Sequence, residues 1–156
     1  FWGDKTQTNG VKVFGMENWW GNLWRRTAGW INDKGTQKIK ITEGTHDGST
    51  AVGYNLDGSG YITLTGATPA GTSGGYISEM KNDLAFGRIP VKASGSATTY
   101  EADGLWFNNS QVDYALVGGY WGNALLVGPL CANLGAAASD TYASNGAALS
   151  CKPLAA

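Results

Sequence analysis

Charged residues are scarce in this chain of 156 residues: they make up 15% of it and leave a formal net charge of −1. A balance so close to zero provides no basic surface for nucleic acid or for an anionic membrane. The sequence also lacks any apolar run that approaches the roughly 20 residues of a membrane-spanning helix. We therefore expect neither a nucleic-acid partner nor insertion into a membrane.

Residues that commonly carry catalysis are scarce too. The only histidine of the sequence, His46, stands beside Asp47 in a glycine-rich stretch. No nucleophile or second carboxylate lies at a spacing that suggests a catalytic triad, so we interpret His46 as a solvated loop residue. The sequence predicts no catalytic residues, no enzyme activity and no cofactor.

The sequence has two cysteines, Cys131 and Cys151, which are too few for a disulfide framework and form no Cys-x-x-Cys pattern. A pair of buried thiols is favoured over a single disulfide bond, and in both cases we expect the two residues to lie close together. A metal site is not expected.

Glycine and aromatic residues are abundant, with 24 glycines, seven tryptophans and seven tyrosines. Glycine supplies the positive φ that turns need, and aromatic side chains pack well on pleated sheets. The composition therefore favours a loop-rich β domain in which helix is a minor part. No repeat, linker or charge block divides residues 1–156, which predicts a single domain. Phe1 at the first position leads us to expect the C-terminal part of a longer protein.

One stretch has helical spacing. Between residues 16 and 26, apolar side chains recur at intervals of three and four, which predicts a short helix with an aromatic face: Met16, Trp19, Trp20, Leu23 and Trp24. Arg25 and Arg26 fall in its last turn, where cations suit the helix dipole. We interpret the tryptophans as core residues rather than as a platform for stacking sugars.

The remaining pattern is one of short strands. Residues 27–31 and 36–41 predict a β-hairpin around a four-residue loop, and residues 43–76 predict a mostly ordered loop insertion that contains one strand at 61–65. Further strands are predicted at 86–91, 98–100, 104–107, 114–117 and 147–153, with apolar segments at 124–127 and 131–134. The predicted fold class is α+β, with the helix packed on a small antiparallel sheet.

Two segments carry a resemblance to a known family: Val13-Phe-Gly-Met-Glu-Asn-Trp-Trp-Gly-Asn-Leu-Trp-Arg-Arg26 and Val117-Gly-Gly-Tyr-Trp-Gly-Asn-Ala-Leu-Leu-Val-Gly-Pro-Leu-Cys131. The first resembles the Glu-Asn-x-Trp-Gly-Asn-x-Trp signature of C-type lectin-like domains of the formylglycine-generating-enzyme type. The second resembles the Gly-Gly-x-Trp segment that opens their C-terminal half. The resemblance implies a C-type lectin-like fold: a small twisted antiparallel sheet, one or two short helices and long ordered loops.

Within that superfamily, the C-terminal segment resembles the variable proteins of diversity-generating retroelements, as in tail fibres of gut Bacteroides phages. The similar residues are those of the invariant frame, at 118–123, 128–131, 137–139 and 146–153. The resemblance implies that intervening positions are diversified and contact a ligand: Tyr120, Gly122, Asn123, Leu125, Leu126, Ala132, Asn133, Gly135, Asp140, Tyr142 and Asn145. We expect most of these on one exposed face, with Trp121, Val127 and Leu134 pointing inward.

The function that this resemblance implies is receptor binding, with host-surface adhesion by a phage tail fibre as the first hypothesis. The partner would be a bacterial surface protein or glycan, the location a virion tail or a bacterial cell surface, and the assembly a homotrimer within a fibre. A calcium-independent carbohydrate-binding module is the main alternative. A formylglycine-generating type of enzyme is disfavoured, because it needs a close copper-binding cysteine pair and Cys131 and Cys151 are twenty positions apart.

Overall fold

The structure, a computed structural model, describes residues 19–40, 54–99 and 101–146, together with the backbone of 12–13 and 16–17. Nearly all of the regular structure in these ranges is β. The strands are β1 (Lys12–Val13), β2 (Met16–Glu17), β3 (Trp24–Asp33), β4 (Thr36–Ile39), β5 (Ile62–Thr63), β6 (Ala70–Gly71), β7 (Gly74–Asp83), β8 (Gly87–Ala93), β9 (Gly104–Phe107), β10 (Val112–Val117), β11 (Ala132–Ala136) and β12 (Asn145–Gly146). A short 3₁₀ segment spans Trp121–Leu126.

Nine of these strands form one curled, mixed sheet in the order β5-β4-β3-β10-β11-β9-β7-β8-β6, which closes about half a barrel. Strand β12 joins the sheet by pairing in parallel with the start of β3. The register shifts within β10, between Tyr114 and Leu116, and twice within β7. Such bulges increase local twist and bend the strand, which accounts for the curl.

The hairpin predicted around residues 32–35 is confirmed, although its loop is shorter than expected. Strand β3 pairs with β4 up to Asp33 and Thr36, so that Lys34 and Gly35 alone form the turn. Both have positive φ, 49° and 89°. This is the conformation of a type I′ turn, whose twist matches that of the flanking strands.

The prediction of an α+β, C-type lectin-like fold with a helix over Met16–Arg26 is wrong. Gly21 lies in the middle of that stretch with φ of 80°, which interrupts a right-handed helix. The backbone N–H groups bond to distant chain instead: Gly21 to the carbonyl of Gly118 at 2.9 Å and Trp24 to that of Ser144 at 2.8 Å. From Trp24 onward the chain is a strand of ten residues. Hydrogen bonds to residues distant in the sequence therefore take the place of the i→i−4 hydrogen bonds of the predicted helix.

Several strands lie where the sequence placed them. Strand β9 has the predicted bounds, β8 and β10 overlap their predicted ranges, and β11 overlaps the apolar segment at 131–134. The predicted strand at 61–65 shrinks to β5, residues 98–99 are not a strand, and 124–127 falls mostly in the 3₁₀ segment. The ten-residue strand β7 was not predicted. The predicted strand at 147–153, together with His46 and Cys151, lies outside the described residues.

The largest buried cluster lies between the middle strands. Ile77 of β7, Leu105 of β9 and Leu134 of β11 are fully buried there beside Ala115 of β10. A second cluster adjoins it around Trp24, whose ring meets Trp106 edge to face with centroids 5.6 Å apart. Edge-to-face aromatic pairs add to the stabilisation that burial already provides. Of the tryptophans predicted to be core, Trp20 and Trp24 are buried and Trp19 is half-buried, and only Trp24 lies on a strand.

Two buried amides tie the β3–β4 hairpin to the rest of the sheet. Asn32 donates from Nδ2 to the carbonyls of Leu134 at 2.9 Å and Asn108 at 3.0 Å. Gln37 donates from Nε2 to the carbonyls of Ala67 at 2.7 Å and Pro90 at 3.0 Å. Both side chains are fully buried. Buried polar groups require such partners, so these bonds specify how the hairpin packs.

Candidate functional site

A cleft opens where β12 lies beside the start of β3. Its inner part has a volume of about 200 Å³ and its wider mouth about 530 Å³. Three residues, Asp140, Tyr142 and Asn145, line both parts. The inner part is also lined by Trp24, Leu116, Asn133, Gly135, Ala136 and Ser144, and the mouth by Arg26, Thr141, Ala143 and Gly146.

The loop that forms one wall of the cleft, residues 137–144, is held in place by Arg26 and Asp140. Arg26 donates from Nη1 to the carbonyl of Ala138 at 3.2 Å and from Nη2 to that of Asp140 at 3.2 Å. Asp140 accepts at Oδ2 from the backbone N–H of Ala137 at 3.0 Å. A loop with small side chains is thereby fixed through its backbone, which leaves its remaining side chains to face the cleft.

Asn145 lines the cleft with an unsatisfied donor. Its Nδ2 atom is buried and meets no hydrogen-bond partner within the part of the chain that the structure describes. An unpaired buried donor costs about 1–3 kcal/mol, and each such group in a native structure requires an explanation. Because this atom has almost no solvent-accessible surface, a ligand in the cleft does not reach it in this conformation.

The 3₁₀ segment lies next to residues 22–24, on the side opposite the cleft. Asn22 forms a parallel β-bridge with Tyr120, and its carbonyl accepts a hydrogen bond from the N–H of Trp121 at 3.2 Å. On the cleft side, the backbone N–H of Trp24 donates to the carbonyl of Ser144 at 2.8 Å. Residues 22–24 thus connect the 3₁₀ segment to the cleft wall. On the 3₁₀ segment, Trp121 is 51% and Leu125 54% exposed.

Two predicted ligand-binding positions shape the start of the 3₁₀ segment. Asn123 accepts at Oδ1 from the backbone N–H of Tyr120 at 3.0 Å. A Cβ added to Gly122 would lie 2.6 Å from the Tyr120 ring, so the ring covers this glycine. Ala124 has φ 49° and ψ −123°, a conformation that glycine adopts far more easily than alanine. Strained backbone of this kind persists only where its surroundings hold it in place.

The structure brings five of the predicted ligand-binding residues together at the cleft: Asn133, Gly135, Asp140, Tyr142 and Asn145. Five others belong to the 3₁₀ segment and the residue before it: Tyr120, Gly122, Asn123, Leu125 and Leu126. Tyr120 connects the two groups, because its ring lies 6.5 Å from that of Trp24 in the cleft wall and 5.3 Å from that of Trp121.

The expected pattern of exposure is only partly correct. Leu125 and Tyr142 are exposed and Val127 and Leu134 are buried, as predicted. Ala132, expected to be exposed, is 1% exposed because it lies on β11 between β10 and β9 and faces the core. Trp121, expected to point inward, faces solvent because the chain there turns in a 3₁₀ segment rather than continuing as a strand. The remaining positions that were expected to be exposed, Tyr120, Asn123, Asn133 and Asp140, are half-buried.

Among the cleft residues that sequence reasoning missed are Trp24 and Arg26, which it assigned to a helix. The available signal lay elsewhere, in residues 137–144, whose small side chains cannot satisfy their own backbone carbonyls. Such a loop needs an external donor, and arginine presents several in a fixed geometry.

The site offers binding chemistry of a neutral to acidic kind. Among the described residues, no three histidine, cysteine, aspartate or glutamate side chains are grouped to hold a metal ion, and no helix is long and apolar enough to cross a membrane. Cys131 is buried beside the Trp24 cluster. Comparison of the chain with family models, curated proteins and solved structures yields no match. Function is therefore inferred from the site itself.

Proposed function

We propose that this domain binds a receptor on a bacterial surface through a display face made of the cleft residues Asp140, Tyr142 and Asn145 and the exposed side chains of Trp121 and Leu125. The observation that carries the proposal is the convergence of five predicted ligand-binding positions on one cleft: Asn133, Gly135, Asp140, Tyr142 and Asn145. Concave sites with a few convergent polar groups are the common form of a binding site.

The construction of the face supports binding rather than a purely structural role. Arg26 and Asp140 hold the cleft wall through backbone groups, and the 3₁₀ segment is anchored through Asn22. Side chains presented on fixed backbone lose little conformational entropy when they meet a partner. Substitutions on such a face change what is bound and leave the fold intact.

The location of the protein, a virion tail or a bacterial cell surface, and a homotrimeric assembly belong to the same proposal. They rest on the residues quoted for the resemblance to phage variable proteins, whereas the fold that this resemblance implied does not hold. The proposed receptor binding therefore rests on the cleft and not on a C-type lectin-like frame.

The experiment uses the fluorescently labelled chain on a panel of bacterial strains. A W121A/L125A/Y142A variant should lose binding at least tenfold on strains that the wild-type chain binds, with a melting temperature within a few degrees of wild type, because exposed side chains contribute about 0.5 kcal/mol or less each. Leu84→Ala is the matched control, since Leu84 is exposed but lies at the turn between β7 and β8. Wild-type chain that binds no strain, or a variant that binds like wild type, would overturn the proposal.

A further inference from the structure

We infer that the receptor is a protein, and that an uncharged apolar pocket on its surface takes the side chains of Trp121 and Leu125. This inference rests on the proposed function and names the partner class for one part of the display face. That part is residues 121–129, called the apolar loop below, which contain the 3₁₀ segment and the residues that follow it.

The apolar loop exposes hydrocarbon and no charge. Its exposed side chains are those of Trp121, Ala124, Leu125 and Pro129. No aspartate, glutamate, lysine, arginine or histidine occurs in residues 114–139. The central part of a protein–protein interface is depleted of charged residues and enriched in aromatic ones. The loop therefore complements an uncharged, apolar surface of a partner.

The loop holds its exposed side chains in a fixed arrangement. Tyr120 and Asn123 bond to each other twice: the N–H of Tyr120 donates to Asn123 Oδ1, and the N–H of Asn123 donates to the carbonyl of Tyr120, both at 3.0 Å. At the other end Val127 is 1% exposed and packs on Trp20. Ala124 keeps its strained conformation between these two anchors. Side chains on fixed backbone lose little conformational entropy when they enter a pocket.

Trp121 and Leu125 are close enough to enter one interface. They are four positions apart, so their Cα atoms are separated by at most about 14 Å. A typical protein interface covers about 800 Å² of each partner, which spans that distance. Tryptophan is also enriched among the few residues that contribute most of the binding energy of protein interfaces. We therefore expect Trp121 to be the main anchor and Leu125 to pack beside it.

The same chemistry disfavours a glycan at this loop. Each hydroxyl group of a sugar exchanges hydrogen bonds with water for bonds to the protein, and a hydroxyl left without a partner costs free energy. Among the exposed side chains of residues 121–129, the indole N–H of Trp121 is the one polar group. Leu125 would cover sugar hydroxyls without bonding to them, whereas its burial in an apolar pocket is favourable.

A lipid surface is disfavoured as well. Attachment of a segment to a membrane surface increases with its buried apolar area and with the attraction of its cations to anionic lipids. The loop offers two large exposed apolar side chains, and residues 114–139 contain no cation. A fixed backbone also gives no advantage in a fluid bilayer, whereas it improves the fit to a shaped protein pocket.

The test measures the dissociation constant of the labelled chain on a bacterial strain that it binds, by flow cytometry. Trp121→Ala should weaken binding by about tenfold or more. Leu125→Asn should weaken it more than Leu125→Ala does, because an apolar pocket must then take up an unpaired amide. Leu125→Met stays apolar and should remain within about twofold of wild type. Ile62→Asn, at a position that is 58% exposed on β5, is the matched control and should bind like wild type.

Treatment of the cells separates the partner classes. Protease should abolish binding, periodate oxidation of the surface glycans should leave it intact, and vesicles of phosphatidylethanolamine and phosphatidylglycerol should not bind the chain. Binding that survives protease or is lost after periodate overturns this inference while receptor binding stands. Binding to the vesicles, unchanged binding in Trp121→Ala, or Leu125→Asn binding as tightly as wild type also overturns it. A wild-type chain that binds no strain overturns the proposed function and this inference with it.

Discussion

At the scale of single residues, Asp113 is a buried carboxyl group with one oxygen unsatisfied among the described residues. Its side chain is fully buried in β10, and the unsatisfied oxygen is Oδ2. Burial raises its pKa above the ordinary value of 3.8; a hydrogen bond from Gln111 to Oδ1, at 2.7 Å, opposes that shift and the charge of Asp140 adds to it. The carboxyl of Asp113 therefore holds its proton to a higher pH in the folded protein than in the unfolded chain.

We expect this group to make the folded state less stable as the pH rises. Because the pKa is higher in the folded than in the unfolded chain, stability falls from pH 3.8 upward until the folded-state pKa is passed, and the full penalty is present above it. Asp113→Asn keeps the acceptor for Gln111 and removes the charge, so it should be more stable than wild type at pH 7 and lose that advantage near pH 3.8.

Urea unfolding of wild type and variant at several pH values between acid and neutral measures the effect. Glu79→Gln, at an exposed position of β7, removes one charge without burial and should follow the wild-type pH profile. If Asp113→Asn were less stable than wild type at neutral pH, the buried carboxylate would have a stabilising partner, contrary to this account.

At the scale of elements, the β3–β4 hairpin depends on a turn whose first residue is poorly suited to it. Lys34 has φ of 49°, and the type I′ turn prefers asparagine followed by glycine. Lys34→Asn should therefore stabilise the protein by about 0.5–1 kcal/mol. For a chain of this length, each kcal/mol of added stability raises the melting temperature by roughly 2–4 °C.

Thermal unfolding followed by circular dichroism measures this change. Lys81→Asn on β7 is the comparison, because asparagine has no advantage within a strand and is commonly unfavourable there. A decrease in melting temperature for Lys34→Asn would mean that the lysine side chain, rather than the turn conformation, stabilises the hairpin.

At the scale of the whole molecule, Asn32 and Gln37 connect parts of the sheet that are far apart in sequence. Replacing Asn32 by leucine removes the side-chain donor to the carbonyls of Leu134 and Asn108 and the acceptor of the Gly35 N–H. Replacing Gln37 by leucine removes the donor to the carbonyls of Ala67 and Pro90 and the acceptor of Trp30 Nε1. Each orphaned buried group costs about 1–3 kcal/mol, so we expect each variant to lose about 2–5 kcal/mol.

Chemical denaturation gives these values, with Asn82→Leu on exposed β7 as the control that should change stability by about 0.5 kcal/mol or less. Asn32→Leu should also weaken the display face, because β11 both receives the Asn32 bond and lines the cleft. A loss below about 1 kcal/mol in both variants would show that neither amide specifies the packing.

The fold was predictable only where its determinants are local. Two short-range signals were informative: the turn at Lys34 and Gly35, and the alternation in 104–107 and 114–117. The β3–β4 hairpin and strands β9 and β10 form at these positions. The aromatic spacing from Met16 to Trp24 was equally local but pointed to a helix. Gly21 and the hydrogen bonds to Gly118 and Ser144 decided otherwise, and neither partner is visible in a window around residue 20.

The sequence by itself determined that the chain is rich in β structure, weakly charged and displays several polar residues in its C-terminal segment. Tertiary structure decided which of those residues meet: Asp140, Tyr142 and Asn145 line a cleft, whereas Ala132 faces the core. The physical reason is that a strand presents successive residues to opposite faces, so exposure depends on which strands lie alongside it. The cleft exists because β12 pairs with β3 at Trp24 and Arg25, a pairing between distant parts of the chain that no local pattern contains.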